Sequence, residues 1–281
     1  MAYLKIILRG VAQVMLQENA ITGLFFLIGI FYNSFNLGIV AVFGTIISTL
    51  TAQLLNYNKT EIKRGLYGFN GALCAIALWF FYGFSPHSFI VIIFSSSLSS
   101  VLFYYLKRFL PPYTAPFILS TWIGMLTLKY FFGFSILSAI DTLQNFSFIE
   151  ASLNSYGQVM FQKNSITGLF FLTGILINSG LHALFTIYAV FLSLIFGLLL
   201  GSPMATLNSG LLGFNAILCV IVLADINKNA MLWATLAILL SVLIHLLLWK
   251  INIIPLTAAF VITSWLLLGI KKLLVLSRSK T

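Results

Sequence analysis

The chain spells one pattern twice, 145 residues apart. Gln13-Val14-Met15-Leu16-Gln17 returns as Gln158-Val159-Met160-Phe161-Gln162, and Thr22-Gly23-Leu24-Phe25-Phe26-Leu27 returns as Thr167-Gly168-Leu169-Phe170-Phe171-Leu172. Asn33-Ser34 matches Asn178-Ser179, and Gly68-Phe69-Asn70 with Cys74 matches Gly213-Phe214-Asn215 with Cys219. Any fold for this chain has to use one unit twice. That unit belongs in a membrane, because 60% of the residues are hydrophobic and 7% charged, and the mean hydropathy is +1.07. Such values exclude a soluble globular domain. Transport proteins built from two such halves commonly carry their solute path at the repeat interface.

Apolar stretches run over 37–55, 66–84, 88–106 and 113–134, and again over 182–200, 211–224, 231–249 and 254–276. Most approach the roughly 20 helical residues needed to cross a hydrocarbon core of about 30 Å. Residues 21–32 and 166–177 are shorter, and each follows a polar break, Gln17-Glu18-Asn19 or Gln162-Lys163-Asn164. Twelve helical residues span only about 18 Å, so these read as parts of broken helices lining a cavity. The expectation is an all-α integral membrane protein of about ten crossings. Each half, 1–140 and 155–281, has one broken crossing and four ordinary ones, joined by an extracytoplasmic linker at 141–154.

Five crossings per half is odd, so the halves are expected to be inverted repeats. With the N-terminus in the cytoplasm, the inside segments hold 12 of the 15 Lys and Arg residues, leaving Lys129, Lys163 and Lys250 elsewhere. The region joining the halves carries Asp141 and Glu150 and no basic residue. This bias predicts two cytoplasmic termini, and a cell inner membrane is the expected location. It also accounts for the net charge of +10 through topology and anionic lipid rather than nucleic acid. Lys5 and Arg9 precede an apolar run, yet no small-residue cleavage site follows, so the segment reads as retained.

The interior offers little charge chemistry. Glu18, Glu61, Asp141, Glu150 and Asp225 fall at breaks or loops, and of the histidines only His245 falls inside a span. A lone histidine there reads as a hydrogen-bonded packing residue. Cys74 and Cys219 read as small hydrophobic packing residues. No metal-spaced cluster, phosphate loop or catalytic set stands out, so neither an enzyme nor a metal or other cofactor is expected. Amides, hydroxyls and rings remain, which suits a small neutral polar solute.

Gln13 and Gln158 each bring an amide that both donates and accepts. In lipid such a group has to be satisfied, so both are expected to face the interior, either toward a pore or toward broken backbone. Phe69 and Phe214 sit on segments with Gly65, Gly68 and Gly71 or Gly210 and Gly213, spacing that reads as one small-residue helix face open to close approach. Leu110-Pro111-Pro112-Tyr113-Thr114-Ala115-Pro116-Phe117 is echoed by Ile254-Pro255-Leu256-Thr257-Ala258-Ala259-Phe260 at an offset of 143. Proline frees carbonyls there, and Thr can satisfy them or offer a hydroxyl to a cavity.

Gln-Val-x-Phe, Asn-x-x-Thr-Gly, Leu-x-Gly-Phe-Asn and Leu-Pro-x-x-Thr-x-Pro-Phe, in this order in both halves, resemble the urea transporter family. The resemblance implies inverted repeats with short pore helices, usually a homotrimer with one pore per subunit, and passive passage of urea. Carried over by position, Gln13 and Gln158 would mark the ends of a filter. Phe69 and Phe214 would form slot walls, Phe161 would face Phe214, and Val14, Val159, Leu73, Leu218, Thr114 and Thr257 would line a constricted middle. Leu16 stands where the first slot would have its Phe, and Ala259 and Ile254 replace prolines in the second signature. The first slot is therefore expected to be aromatic on one side only and more tolerant of bulkier amides. Short amides or ammonia are the alternative solutes, and ammonia lacks a repeat-matched histidine pair.

Overall fold

The computed structural model describes residues 2–137, 145–224 and 229–278, with side chains to 274. Asp141, Asp225, Lys228 and Lys280, with the start of the expected linker, lie outside the described residues. Among those described, the chain is helical throughout, and a succession of seven helices occurs twice. The first is α1 (Ala2–Gln13), α2 (Ala20–Asn33), α3 (Phe35–Leu54), α4 (Lys59–Lys63), α5 (Gly68–Tyr82), α6 (Pro86–Leu106) and α7 (Ala115–Tyr130). The second is α8 (Phe148–Gly157), α9 (Ser165–Asn178), α10 (Gly180–Leu199), α11 (Met204–Asn208), α12 (Phe214–Leu223), α13 (Ala230–Lys250) and α14 (Ala258–Arg278). Helix α8 begins inside the stretch expected as linker and is the counterpart of α1.

Among the described residues four helices, α3, α6, α10 and α13, are long and apolar enough to cross a membrane. The short helices expected over 21–32 and 166–177 are α2 and α9, of 14 residues each. The stretches 66–84 and 211–224, read as ordinary crossings, hold shorter helices than expected: α5 has 15 residues and α12 has 10. At 1.5 Å per residue they reach only about 22 and 15 Å. Their apolar runs open with turns, Gly65–Tyr67 and Gly210–Gly213, that hydropathy cannot tell from helix. Gly65 and Gly210 have φ of +79° and +77°, where a Cβ would stand 2.5 Å from the Gly10 nitrogen and 2.3 Å from the Ser155 nitrogen. At Gly65 and Gly210 the close approach occurs in a turn against α1 and α8, whereas Gly68 and Gly71 lie on α5, where a Cβ at Gly71 would stand 2.4 Å from the Gly44 carbonyl oxygen of α3.

The repeated residues explain the local structure. Ser34 and Ser179 cap α3 and α10, accepting from the Leu37 and His182 amides at 3.3 and 3.2 Å. Asn19 and Asn164 cap α2 and α9 in the same way. Each such cap stabilises its helix by about 1 kcal/mol. At Gly23 and Gly168 an added Cβ would lie 1.8 and 1.9 Å from the Leu8 and Leu153 carbonyl oxygens, so α1 packs on α2, and α8 on α9, backbone to backbone.

The halves meet through reciprocal contacts. Thr22 Oγ1 donates to the Gly174 carbonyl and Thr167 Oγ1 to that of Gly29, both at 2.7 Å. Asn33 Nδ2 donates to Gln162 Oε1 at 2.8 Å, and Asn178 Nδ2 to Gln17 Oε1 at 2.7 Å. Trp122 Nε1 donates to the Ile254 carbonyl and Trp265 Nε1 to that of Pro111, at 3.1 and 2.8 Å. Phe26 packs on its own counterpart Phe171, ring centroids 4.8 Å apart. Reciprocal pairs and a self-pair are the marks of a local twofold relation.

Candidate functional site

The site grows from two matching breaks in the helical backbone. Helix α1 ends at Gln13, and the chain turns through Leu16 at φ 59°; helix α8 runs into a short 3₁₀ turn over Gln158–Met160, and Phe161 stands at φ 60°. Left-handed backbone at residues with a Cβ is uncommon, and here the same glutamine holds each turn. Gln17 Nε2 donates to the Met15 carbonyl at 2.7 Å, and Gln162 Nε2 to that of Met160 at 2.8 Å. The second amide of each motif thus satisfies the broken backbone and, through its oxygen, the opposite half.

Phe69 is an early residue of α5 and Phe214 the first of α12, each followed by an asparagine. Asn70 Oδ1 accepts from the Phe117 amide and Asn215 Oδ1 from the Phe260 amide, both at 3.1 Å. Their Nδ2 groups reach the Tyr113 and Leu256 carbonyls at 3.3 and 3.5 Å. Each asparagine therefore pins the proline loop that carries Thr114 or Thr257. The pinned loops bring the two threonines together, Thr257 Oγ1 donating to Thr114 Oγ1 at 2.7 Å. Leu73 and Leu218, one turn after Phe69 and Phe214, are fully buried, as are Val14 and Val159. Cys74 and Cys219 are free, buried thiols.

Gln158, Val159, Phe161, Phe214 and Thr257 line one cavity of about 530 Å³. Phe161 and Phe214 border the same space, each against different neighbours. Phe161 lies 5.5 and 5.8 Å from Phe80 and Phe81, and Phe214 stands edge-on to His245 at 5.6 Å. Gln158 Oε1 is buried with no hydrogen-bond partner. Gln13, Val14, Leu16, Phe69, Leu73, Thr114 and Leu218 are not on this cavity's wall. Gln13 Nε2 instead donates to the Arg64 carbonyl at 3.2 Å, and Leu16 is half-buried against the core.

The two ends differ in charge. Near Gln13, Glu18 pairs with Arg64 at 2.8 Å, and Glu61 pairs with Lys107 and accepts from the Tyr67 hydroxyl at 2.9 Å. Arg108 lies over the Tyr104 ring at 4.6 Å, and Tyr104 stacks on Tyr57 at 4.0 Å. Burial, with the neighbouring Tyr105 and Tyr104, raises the Tyr57 phenol above its ordinary value, so it stays neutral. At the offset of 145 the Glu18–Arg64 pair becomes Lys163 and Ser209, both on the cavity wall. Among the described residues no group of three His, Cys, Asp or Glu could hold a metal.

Sequence reasoning missed Phe80, Phe81, Trp249 and His245 as cavity residues. The phenylalanines belong to the first half and line the second, which no within-repeat comparison reveals. His245 and Trp249 lie four residues apart on α13, one helical turn, so the lone histidine of that apolar run carried a usable signal.

Residues 4–272 match the family model described as urea transporter. Urea transporter 1 of Mus musculus is 33% identical over 252 residues, covering 82% of this chain and 64% of that protein. The proteins of the same name from Rattus norvegicus and Ovis aries are each 31% identical over 251 residues, with the same coverage. The chain thus spans 64% of the length of the curated relatives it matches. The match runs through both copies of the repeat, from α1 to the helix that follows the second proline loop, and by it this chain belongs to the urea transporter family.

Proposed function

We propose that the chain forms a passive, uncharged path for urea at the junction of two inverted repeats. The observation that carries this reading is Gln158: its amide oxygen is buried without a partner, on a cavity walled by Phe161, Phe214 and Thr257. An unpaired buried acceptor is costly, and a solute N–H removes that cost. Urea is planar and neutral, with four N–H donors and one carbonyl. Rings select a flat solute, and amide and hydroxyl oxygens replace water around its N–H groups. A cation would lose hydration with no acidic group on the cavity wall to compensate, and would meet Lys163 there, so it is excluded. No proton or sodium coupling is needed.

The reciprocal bonds Thr22–Gly174 with Thr167–Gly29, and Asn33–Gln162 with Asn178–Gln17, support the inverted arrangement. The self-pairs Phe26–Phe171 and Thr114–Thr257 support an axis between the halves, and in this reading the two threonines mark the narrow centre of the path. The ten-crossing reading has α3, α6, α10 and α13 crossing alone and the shorter helices crossing where protein surrounds them. The second repeat begins with α8. The basic loops gathered near Gln13 support a reading in which that end and both termini face the cytoplasm of an inner-membrane protein and the Gln158 cavity faces the other side. A homotrimer with one path per subunit completes the reading.

Short amides are the second reading, supported by Leu16 in place of a ring on the Gln13 side. The experiment that tests both is stopped-flow uptake of urea, acetamide, methylamine and glycerol by proteoliposomes. Fast, saturable urea flux that ignores proton and sodium gradients is expected. Acetamide outrunning urea would replace the first reading with the second, and no flux above empty liposomes would overturn both.

A further inference from the structure

His245 holds a hydrogen-bond donor that nothing in the fold uses. It is buried on α13 and lines the Gln158 cavity, between Phe214 at 5.6 Å and Trp249 at 5.8 Å. Its Nδ1 lies 3.2 Å from Asn215 Nδ2. The Asn215 amide cannot be turned round, because its oxygen accepts from the Phe260 backbone N–H at 3.1 Å. Asn70 is held in the same sense by the Phe117 amide, also at 3.1 Å. Asn215 Nδ2 is therefore the donor and His245 Nδ1 the acceptor, which puts the proton of the neutral ring on Nε2. Nε2 is buried and has no partner.

A buried N–H without an acceptor is rare in a native fold and calls for an explanation. Buried hydroxyls such as Ser95 and Ser264, and Arg9 Nε, are also without partners among the described residues, but a hydroxyl rotates and the Arg9 guanidinium already donates to the Lys63 carbonyl at 3.1 Å, whereas this imidazole is fixed by Asn215 and flanked by two rings. The counterpart in the first half is Phe103, which stands edge-on to Phe69 at 5.9 Å as His245 does to Phe214, and whose side chain carries no hydrogen-bonding group. The unused donor is thus confined to the half that carries the cavity and the unpaired Gln158 oxygen.

We propose that His245 is a solute-recognition residue of this cavity, its Nε2–H donating to the carbonyl oxygen of a urea- or amide-class solute whose N–H groups are taken by Gln158. The inference rests on the cavity being a solute path. One acceptor and one donor on the same wall match a group with N–H on one side and C=O on the other. A solute whose acceptor is sulfur gains little from the donor, since sulfur accepts weakly.

The test compares urea and thiourea uptake through the wild type, His245→Leu and His245→Gln in proteoliposomes, with the ¹⁵N spectrum of histidine-labelled wild type. His245→Leu is expected to raise the urea concentration for half-maximal flux about five- to tenfold, the loss of one hydrogen bond. Thiourea stays within about twofold because its sulfur makes little of that bond, and His245→Gln, which keeps an N–H, recovers most of the urea loss. The wild-type spectrum is expected to show Nε2 protonated and its resonance moving as urea is added. Urea and thiourea weakening together in folded His245→Leu would overturn the proposal, as would an unprotonated Nε2 or a resonance that ignores urea. Absence of any urea flux in the wild type would instead overturn the path reading on which it rests. The spectrum tests the donor even where the leucine variant fails to fold.

Discussion

The Gln13 and Gln158 ends share a backbone and differ in nearly everything attached to it. Leu16 and Phe161 take the same left-handed turn at φ 59° and 60°, held by equivalent Gln17 and Gln162 bonds. At the first end the amide is occupied, Gln13 donating to the Arg64 carbonyl while the Arg64 side chain pairs with Glu18. At the second end Ser209 and Lys163 replace that ion pair, the amide oxygen is left unpaired, and a cavity of about 530 Å³ stands beside it. The duplicated backbone supplies a frame, and a few unmatched side chains decide which end is covered and which holds space for a solute.

Six substitutions, forming four tests, break or sharpen this comparison. The largest effect is expected from Gly168→Ala, which drives a Cβ to within 1.9 Å of the Leu153 carbonyl oxygen and forces α8 from α9. It should cost about 3 kcal/mol or prevent folding, read as lost helicity and a lowered Tm. Gly23→Ala should match it, since the frame is symmetric. Next comes Gln162→Leu, which frees the Met160 carbonyl and the Asn33 amide together. About 2 to 3 kcal/mol of stability should go, and Gln17→Leu should again match in thermal unfolding.

Smaller effects are expected where the ends differ. Leu16→Phe supplies the ring that the first end lacks and should lower the acetamide-to-urea flux ratio about fivefold, the scale of one aromatic contact. An unchanged ratio would mean that selectivity is set wholly at the Gln158 end. Least of all should be Glu18→Gln. The Glu18–Arg64 side chains are 41% and 50% exposed, so losing the pair should cost under about 1 kcal/mol, and less in high salt. A Tm drop as large as that of Gln162→Leu would show the ion pair to be part of the frame.

Much of the frame was legible because its residues recur. The Gln, Thr, Gly and Asn-Ser motifs that stand out at an offset of 145 are the ones that cap helices, close the breaks and join the halves. What they bond to was not legible: Asn33 reaches Gln162, and Trp122 reaches Ile254, partners that only the meeting of the two halves supplies. Hydropathy also overcounted α5 and α12, since the turns at Gly65 and Gly210 are as apolar as the helices they open. The site was half legible. The motif points to Gln158, Val159, Phe161, Phe214 and Thr257, which line the cavity, but Leu218 and the matching first-half residues lie away from it, and Gln13 is bonded to the Arg64 carbonyl instead. His245 has no twin, so the repeat could not point to it.

The most direct test of the account is stopped-flow urea influx into proteoliposomes for the wild type beside Gln158→Ala and Gln13→Ala. The account predicts saturable, gradient-independent flux in the wild type. Gln158→Ala should weaken the apparent affinity for urea about tenfold, the scale of a lost hydrogen bond in a buried site, and Gln13→Ala should do so distinctly less. Wild-type rates in folded Gln158→Ala, or no urea flux in the wild type, would contradict it.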